Sequence, residues 1–432
     1  MIYQITQDDL KPISLGEPKF LSPFANGANT KSKFISDSSR VAYNVLYDQV
    51  QSVSSTQMSF ELTGPREKIF FDPKKTIAAI VTCGGISPGI NSVIRSLVSE
   101  LHSYGCKKIL GIRYGYKGLV STEHAPIELN IDMVDEIHLK GGSILGSSRG
   151  SIDPKQGVSF LQKNKVNILF CVGGDGTLRG ALALSEAAKE IGYEISVIGI
   201  PKTIDNDVPF VFQSFGFLTA VEKAKDVIIQ AHTEVSSYQR TLAIVKLMGR
   251  EAGFIAVHAC LAAQLADIAL IPEVGFELNN PQNPNSLFHR ITNVLEKKDA
   301  CVLVVAEGAG QNLFNGEDTI GVDPSGNRKL NDIGIRLVHE CKKYFTAGNL
   351  ATVKYFDPSY SIRAVPANVA DSMLCDGLAR AAVHAAFAGK TEIIIGLWHN
   401  NLTHVPIRTV CKFQKRVNPE GSTWKRLEST LF

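Results

Sequence analysis

The chain has 432 residues, a formal net charge of +3 and a hydrophobic content of 44%. This length exceeds one typical domain, so two or three domains with sizeable cores are expected. Lys and Arg are spread along the chain rather than gathered into a basic stripe, which disfavours a nucleic-acid partner. No run of about 18 apolar residues occurs, and the N-terminus lacks a basic region followed by an apolar one, so we expect neither a membrane span nor secretion.

The eight cysteines are scattered along the chain, and none of them forms a Cys-x-x-Cys pair. This spacing favours neither a zinc site nor a disulfide framework. Free cysteines inside apolar runs behave as small hydrophobic residues, and they fit a reducing compartment. We therefore expect a cytoplasmic protein.

Residues 1–75 hold clusters of Ser, Asn, Pro and Gln with little periodicity, and they are predicted to be an N-terminal extension. Short strands are predicted there near Arg40–Leu46 and Ser59–Leu62. From Thr76 onward, short apolar runs alternate with helical stretches. The predicted strands are Ile77–Val81, Ile109–Ile112, Ile168–Val172, Ile195–Ile200, Leu242–Leu247, Ile268–Ile271, Cys301–Ala306 and Glu392–Leu397. The predicted helices are Asn91–Ser103, Leu178–Ile191, Phe217–His232, Phe254–Leu265, Ser286–Lys297 and Ile333–Tyr344.

Strands that are apolar on both faces and alternate with helices indicate parallel sheets covered on both sides. The predicted fold class is α/β, with two doubly wound, mostly parallel-sheet, Rossmann-like domains and the N-terminal extension. We expect one domain over 76–215, completed by part of 365–432, and a second over 216–364. The segment 365–432 is predicted to pack back on both. Ligands bind such sheets at the carboxyl ends of the strands.

Two glycine-rich loops follow early in this pattern. Cys83-Gly-Gly-Ile-Ser-Pro-Gly-Ile-Asn91 joins a predicted strand to a helix, so it is either a phosphate cradle or only a tight turn. Gly141-Gly-Ser-Ile-Leu-Gly-Ser-Ser-Arg-Gly150 adds hydroxyls and one guanidinium. Arginine suits bidentate phosphate recognition, but a solvated surface loop would have a similar composition.

Two further loops carry carboxylates. Gly173-Gly-Asp-Gly-Thr177 follows a buried strand, and an Asp in a phosphate-binding loop makes sense if Mg²⁺ lies between the carboxylate and the phosphates. Pro201-Lys-Thr-Ile-Asp-Asn-Asp207 places two carboxylates beside a Lys, as phosphorylation of an alcohol requires a base and cations. One of these Asp residues could instead form an Asx-turn. The two loops together predict phosphoryl transfer.

Three later stretches are less specific. Lys246-Leu-Met-Gly-Arg-Glu-Ala-Gly253 ends a strand, Glu307 follows another strand, and Lys354-Tyr-Phe-Asp-Pro-Ser-Tyr-Ser-Ile-Arg363 gathers two cations and two phenols. The last stretch would suit a phosphomonoester. Ordinary salt bridges explain each stretch equally well when it is taken alone.

Taken in order, these motifs resemble the ATP-dependent 6-phosphofructokinase family over roughly Thr76 to Gly396, in the branch related to the pyrophosphate-dependent phosphofructokinases. The resemblance implies two doubly wound domains, a nucleotide-binding one at 76–215 and a sugar-phosphate-binding one at 216–364, with the active site between them. It implies transfer from ATP, with Mg²⁺, to the 1-hydroxyl of fructose 6-phosphate. The products would be fructose 1,6-bisphosphate and ADP, in the committing step of glycolysis. It also implies a homodimer or a homotetramer.

The resemblance also implies roles for individual residues. Asp205 would accept the proton, Lys202 and Asp207 would act in the same loop, and Asp175 would hold Mg²⁺. The ATP contacts would be Gly85, Tyr116, Arg149, Gly150, Gly174, Asp175, Gly176 and Thr177. The substrate contacts would be Thr203, Ile204, Asp205, Met248, Gly249, Arg250, Glu307, Lys354, Tyr360 and Arg363. Arg240 resembles an arginine that some members lend across a subunit interface.

The phosphoryl donor depends on two positions. The chain resembles the branch that includes the pyrophosphate-dependent enzymes in three features: Lys202, Tyr360 and the long N-terminal segment. Those enzymes carry an Asp at the position of Gly176, where a carboxylate would crowd and repel the α-phosphate of a nucleotide. Gly176 therefore favours ATP, and pyrophosphate-dependent transfer to fructose 6-phosphate is the alternative.

Two other classes of protein share part of this pattern. A lipid or NAD kinase could carry the same Gly-Gly-Asp-Gly loop, but the cluster at 201–207 and the pocket at 354–363 count against it. A catalytically inactive regulatory subunit would be expected to lack the carboxylates. Asp175, Asp205 and Asp207 are all present.

Overall fold

The computed structural model describes residues 4–26, 34–45, 58–314, 321–322, 329–346 and 351–432. The strands are β1 Ile13–Ser14, β2 Phe20–Leu21, β3 Arg40–Ala42, β4 Ser59–Leu62, β5 Lys68–Ile69, β6 Ile77–Thr82, β7 Lys108–Ile112, β8 Ile127–Glu128, β9 Ile168–Gly173, β10 Ser196–Pro201, β11 Thr241–Leu247, β12 Ile268–Leu270, β13 Ala300–Ala306, β14 Thr352–Phe356, β15 Lys390–Thr391, β16 Ile393–Trp398 and β17 Asn401–Pro406. The α-helices are α1 Ile90–Tyr104, α2 Ile131–Val134, α3 Pro154–Lys163, α4 Asp175–Glu190, α5 Phe217–Ser236, α6 Phe254–Ala263, α7 Leu287–Lys297, α8 Ile333–Cys341, α9 Val369–Phe387, α10 Ile407–Val410 and α11 Ser422–Glu428.

The larger sheet has nine strands in the order β3-β4-β17-β16-β10-β9-β6-β7-β8. Its five central strands, β16 to β7, run parallel, and the strands at both edges are antiparallel. One face packs on α1 and α9, and the other packs on α3 and α4. Because both faces are covered, β9 and β10 are buried along their whole length, as their unbroken apolar sequences predict.

The smaller sheet has four parallel strands in the order β12-β13-β11-β14. Helices α5 and α6 cover one face, while α7 and α8 cover the other. The predicted α/β class and the organisation around two sheets are thus confirmed, and each of the eight strands predicted after Thr76 is present. No described helix is long and apolar enough to cross a membrane.

Both ends of the chain take part in these layers. In the N-terminal extension, β4 pairs with β17 and thereby extends the larger sheet, whereas β1 pairs with β15 in a separate two-stranded sheet. In the C-terminal segment, α9 packs against α1, whereas α11 packs against α6 beside the smaller sheet. The exact domain boundaries stay a prediction.

Several elements were not predicted, among them α3, β14, α9 and β17. Helix α9 is buried around much of its surface because it packs against α1, α5 and the larger sheet, so its sequence lacks an amphipathic period. The predicted strand Arg40–Leu46 is observed as β3, and its last residue lies outside the described residues.

A buried charge cluster fastens the N-terminal extension to the larger sheet. Glu61 on β4 accepts a hydrogen bond from Arg66 at 3.2 Å and lies 2.9 Å from the ammonium of Lys390. The third partner, His404 on β17, lies 3.1 Å from the same carboxylate oxygen. Burial alone would raise the pKa of Glu61, but His404 and Lys390 outweigh that effect and hold the pKa at about 2.

We predict that Glu61→Gln lowers the free energy of unfolding by about 3 kcal/mol, because it leaves buried cations without their counter-charge. The Glu61 contribution should be fully present above pH 4.5 and should fade as the pH falls towards about 2, since the pKa is lowered in the folded state. Urea unfolding across this pH range measures both effects. The control is Glu128→Gln, which removes the exposed pair with Lys108 and should cost no more than about 1 kcal/mol. Equal losses in the two variants would contradict the prediction.

Candidate active site

A cleft of about 1490 Å³ opens where the carboxyl ends of both sheets meet. Loops after β6, β9 and β10 line it from the larger sheet, and loops after β11 and β13 line it from the smaller one. This position is the one expected for a ligand site in parallel sheets. A second cavity of about 380 Å³, beside Asp267 and Phe432, contains none of the predicted site residues.

The turn after β6 brings backbone close to the ligand space. Gly84 adopts a left-handed conformation with φ of +85°, which favours glycine. Its N–H donates to the carbonyl of Ser148 at 2.9 Å, and the Ser147 hydroxyl donates to the Gly84 carbonyl at 2.6 Å. The two predicted glycine loops, 83–91 and 141–150, are therefore one connected structure beside the start of α1.

Three cations converge on this turn. The Lys202 ammonium donates to the Gly85 carbonyl at 2.6 Å. A Cβ built on Gly85 would lie 2.7 Å from Nη1 of Arg363 and 3.6 Å from Nη2 of Arg149, so a side chain there would displace a guanidinium group. Burial, with Arg363 and Arg149 nearby, lowers the pKa of Lys202 to about 8. An anion placed among these cations would relieve their repulsion.

Arg363, which is partly buried, is also a cation with another positive charge close to it. Burial lowers its pKa, and the neighbouring charge of Arg149 adds to the effect. Its Nε is buried and has no hydrogen-bond partner among the described residues. Its guanidinium lies 4.8 Å from the ring centroid of Tyr360, a residue at the cleft whose side chain is largely exposed. A planar donor group in this setting suits an oxyanion.

The loop after β9 is shaped by glycines with two different roles. A Cβ on Gly173 would lie 2.0 Å from the Thr177 hydroxyl, so only glycine fits there. A Cβ on Gly176 would meet no heavy atom within 4 Å, so this glycine faces open space in the cleft. Tyr116 supports the loop, since its hydroxyl donates to the Thr177 carbonyl at 2.7 Å and the residue is only 4% exposed.

Asp175 is the carboxylate best placed to meet a metal ion. It opens α4 at the cleft, its side chain is 61% exposed, and Arg179 donates to it at 2.9 Å. Among the described residues, no group of three His, Cys, Asp or Glu side chains is arranged to hold a metal. Mg²⁺ fits this arrangement because it is often bound by one or two carboxylates together with substrate phosphates and water.

The loop after β10 carries a pair of carboxylates that resist ionisation together. Oδ1 of Asp205 is shielded from solvent and has no hydrogen-bond partner among the described residues. Burial raises the pKa of Asp205, and the charges of Asp207 and Glu307 raise it further. Burial also raises the pKa of Asp207, although a hydrogen bond from Thr203 opposes that shift. A carboxylate whose pKa is raised towards neutrality is suited to accept a proton.

The smaller sheet supplies the opposite wall. Met248, Arg250 and Glu307 line the cleft, and between the first two Gly249 adopts φ of +137°. The Gly249 carbonyl accepts from the N–H of Gly308 at 3.0 Å, which joins the loops after β11 and β13. Burial raises the pKa of Glu307, opposed by the backbone of Gly249 and nearby cations.

Lys354 does not line the cleft of its own chain. It lies in the middle of β14, paired in register with Ala243, rather than at the carboxyl end of the strand. Its ammonium forms an ion pair with Glu234 and lies 3.7 Å from the ring centroid of Tyr238. Arg240 precedes β11 and does not line the cleft either. Neither residue is therefore placed to contact a ligand held in the cleft of its own chain.

The remaining predicted residues line the cleft, except Gly249, which lies between Met248 and Arg250 without lining it. The cleft is lined by Gly85, Tyr116, Arg149, Gly150, Gly174, Asp175, Gly176, Thr177, Lys202, Thr203, Ile204, Asp205, Asp207, Met248, Arg250, Glu307, Tyr360 and Arg363. A segment of the wall that lies between α10 and Val417 was not predicted from the sequence. Its lining residues include Phe413, Gln414, Lys415 and Arg416, which form no recognisable motif.

Comparison with known proteins shows one consistent family. Residues 77–386 match the family described as Phosphofructokinase. Relatives named ATP-dependent 6-phosphofructokinase occur in Borreliella burgdorferi, at 41% identity over 99% of this chain and 98% of the relative, and in Amycolatopsis methanolica, at 44% over 98% and 94%. One from Trypanosoma brucei brucei is 42% identical over 99% of this chain and 88% of its own length.

Solved structures share the fold at lower identity. A pyrophosphate-dependent phosphofructokinase from Marinobacter aquaeolei aligns with a TM-score of 0.68 at 20% identity, covering 82% of this chain and 91% of that one. A phosphofructokinase from Pichia pastoris aligns with a TM-score of 0.64 at 21% identity, covering 82% of this chain and 36% of the other. At this level of identity the likeness concerns the fold alone.

We predict that sulfate, as a simple oxyanion, raises the melting temperature of the protein by binding among Lys202, Arg149 and Arg363. Arg363→Met should reduce this increase by roughly half or more, because ligand-induced stabilisation follows affinity. Thermal scans with and without sulfate measure the effect. Arg95→Met is the matched control, since Arg95 is paired with Asp135 on the surface away from the cleft. An unchanged sulfate response in Arg363→Met would argue against this anion site.

Proposed function

The chain belongs to the phosphofructokinase family, and on that premise we propose that it phosphorylates fructose 6-phosphate at the 1-hydroxyl, with ATP as the donor. The products are fructose 1,6-bisphosphate and ADP, in the committing step of glycolysis. One observation carries the assignment to this cleft: three cations and a carboxylate pair line the same space at the carboxyl ends of the strands. Phosphoryl transfer relies on this combination of positioning and charge.

We propose that the carboxylate pair and the three cations have separate roles in the transfer. Asp205 accepts the proton of the 1-hydroxyl as that oxygen attacks the γ-phosphorus, and the bond to the β–γ bridging oxygen breaks to release ADP. Lys202, Arg149 and Arg363 offset the negative charge of the phosphoryl group as it moves. Asp207 assists by helping to keep the pKa of Asp205 raised towards the working range of a base.

Substrate recognition is assigned to both walls of the cleft. Gly85, Gly174 and the first turn of α4 approach the nucleotide phosphates with their backbone N–H groups. We propose that Thr203, Met248 and Glu307 contact the sugar. Tyr360 and Arg363 would bind its 6-phosphate. Since Arg363 also lies against Gly85, it is placed where the donor and acceptor meet.

We propose Mg²⁺ as the cofactor, held by Asp175 together with phosphate oxygens. When bound, the ion would neutralise negative charge on the donor phosphates. In the structure Arg179 donates to one oxygen of Asp175, Oδ2, so this arginine would compete with the ion for that oxygen.

A homodimer or homotetramer in the cytoplasm completes the proposal. Arg240 and Lys354 lie outside the cleft of their own chain, and the carbonyl of Arg240 accepts from Thr352 at 3.0 Å, so both belong to one edge of the smaller sheet. A neighbouring copy is the remaining place where these cations would meet a phosphate. Sedimentation measures the assembly directly.

Product analysis tests the proposed activity. Purified protein with fructose 6-phosphate, MgATP and no other enzyme should generate a phosphorus-31 signal for a second phosphomonoester, on carbon 1, together with ADP. ADP release without a new sugar phosphate, or no turnover at all, would overturn the assignment.

We predict that Gly176→Asp weakens ATP use. A carboxylate beside the nucleotide phosphates adds like-charge repulsion, so KM for ATP should rise at least ~10-fold, equivalent to ~1.4 kcal/mol. Because a Cβ at this position meets no heavy atom within 4 Å, the variant should fold normally. Steady-state kinetics measure the effect.

The control for this prediction is Gly176→Asn, which has the same shape without the charge and separates repulsion from crowding. Wild-type ATP kinetics in Gly176→Asp would refute the donor argument. If KM for ATP rises as much in Gly176→Asn as in Gly176→Asp, the effect is due to crowding alone.

We predict that Asp205→Ser lowers kcat by at least ~100-fold, because a general base contributes roughly 10²–10⁴ to such reactions. The dissociation constant for ATP should change little, since the residue is assigned to the acceptor. Turnover assays and calorimetric titration with ATP measure the two quantities. A kcat close to that of the wild type would show that another group is the base.

A further inference from the structure

The segment from Val410 to Arg416, named here the C-terminal strap, forms a wall of the cleft and joins the two halves of the molecule. At its start, Arg179 of α4 donates to the carbonyl of Cys411 at 3.1 Å. At its end, Arg416 pairs with Glu251 at 3.2 Å, and the next residue, Val417, donates its N–H to Glu273 at 2.8 Å. Thus the strap connects the nucleotide side of the cleft with the loops of the smaller sheet.

The loop that carries the carboxylate pair continues into a turn with unusual backbone. Asn206 and Phe210 both have positive φ, 54° and 58°, a conformation that residues other than glycine rarely adopt. Such a conformation persists only when its surroundings fix it. The Asn206 side chain supplies part of this, because it donates to the Phe212 carbonyl at 3.2 Å and accepts from the N–H of Ser214 at 3.0 Å.

Lys415 of the strap fixes the same turn from the opposite side. Its ammonium donates to the carbonyls of Val211 at 2.7 Å and Phe212 at 3.0 Å, just beyond the strained residue. Its backbone N–H also donates to the carbonyl of Asp207 at 3.3 Å. The residue is thus bonded at both ends of the turn 207–212.

The charge of Lys415 matters as well as its hydrogen bonds. Its ammonium lies 5.2 Å from the ring centroid of Phe254. Burial lowers the pKa of Lys415 to about 7, and the charge of Asp207 opposes that shift. In return, Lys415 is among the groups that lower the pKa of Asp207 against the effect of burial. The ammonium and the Asp207 carboxylate therefore stabilise each other's ionised forms.

We propose that Lys415 is a positioning residue for phosphoryl transfer, because its ammonium holds the turn 207–212 and supplies the positive charge that faces Asp207 from the strap. The inference rests on the proposed function. It adds a residue from the C-terminal strap to a site otherwise built from the loops between strands and helices. Since Lys415 acts through the loop, its loss should change kcat more than KM for either substrate.

Three substitutions separate the hydrogen bonds from the charge. Lys415→Arg keeps both donors and charge, Lys415→Gln keeps a donor without charge, and Lys415→Met removes both. The matched control is Lys412→Met, three residues earlier in the strap, whose side chain is paired with Asp9 and does not line the cleft. Measurements of kcat, of KM for ATP and fructose 6-phosphate, and of the melting temperature are made on all four variants and the wild type.

We expect Lys415→Met and Lys415→Gln to lower kcat at least ~10-fold with KM for both substrates changed less than ~3-fold, while Lys415→Arg regains most of the loss. The control, Lys412→Met, should keep the wild-type kcat.

Two results would overturn the inference. In the first, all three Lys415 variants stay within ~2-fold of the wild-type kcat. In the second, Lys415→Arg loses as much kcat as Lys415→Met and shows the same fall in melting temperature. If Lys415→Met does not fold, the comparison of kcat between Lys415→Arg and Lys415→Gln tests the inference instead. No turnover by the wild type would instead refute the proposed function, so the two failures are distinct.

Discussion

The hydrogen bond from the Lys202 ammonium to the Gly85 carbonyl, 2.6 Å long, is the contact on which the arrangement of the cleft depends. It joins the turn after β6 to the loop after β10, two strands that lie on either side of β9 in the larger sheet. It also places a buried positive charge under the glycine turn, beside Arg149 and Arg363. The glycine turn after β6 and the carboxylate loop after β10 are thereby held together.

Charge balance explains why the two sides of the cleft need each other. Burial lowers the pKa of Lys202 and raises those of Asp205, Asp207 and Glu307, so each group alone would tend towards its neutral form. Opposite charges across the cleft counteract that tendency, and an anionic substrate would relieve the excess of cations. The C-terminal strap adds one more cation, Lys415, on the carboxylate side.

Much of the fold and the site could be predicted because both are local in sequence. Buried parallel strands appear as apolar runs, and the loops at their carboxyl ends carry the glycines and carboxylates that line the cleft. The short spacing of Lys354 from Tyr360 does not reveal that Lys354 lies in the middle of β14, outside the cleft of its own chain. Lys415 was missed because its contact with Val211 spans 204 positions, and such a contact is a product of the tertiary fold.

We infer that the open space at Gly176 makes ATP the donor, even though Lys202 is typical of the pyrophosphate-dependent branch. The most direct measurement is the initial rate with fructose 6-phosphate and either MgATP or magnesium pyrophosphate, at matched concentrations. We expect turnover with ATP and at most a trace with pyrophosphate. Turnover with pyrophosphate and none with ATP would contradict this inference.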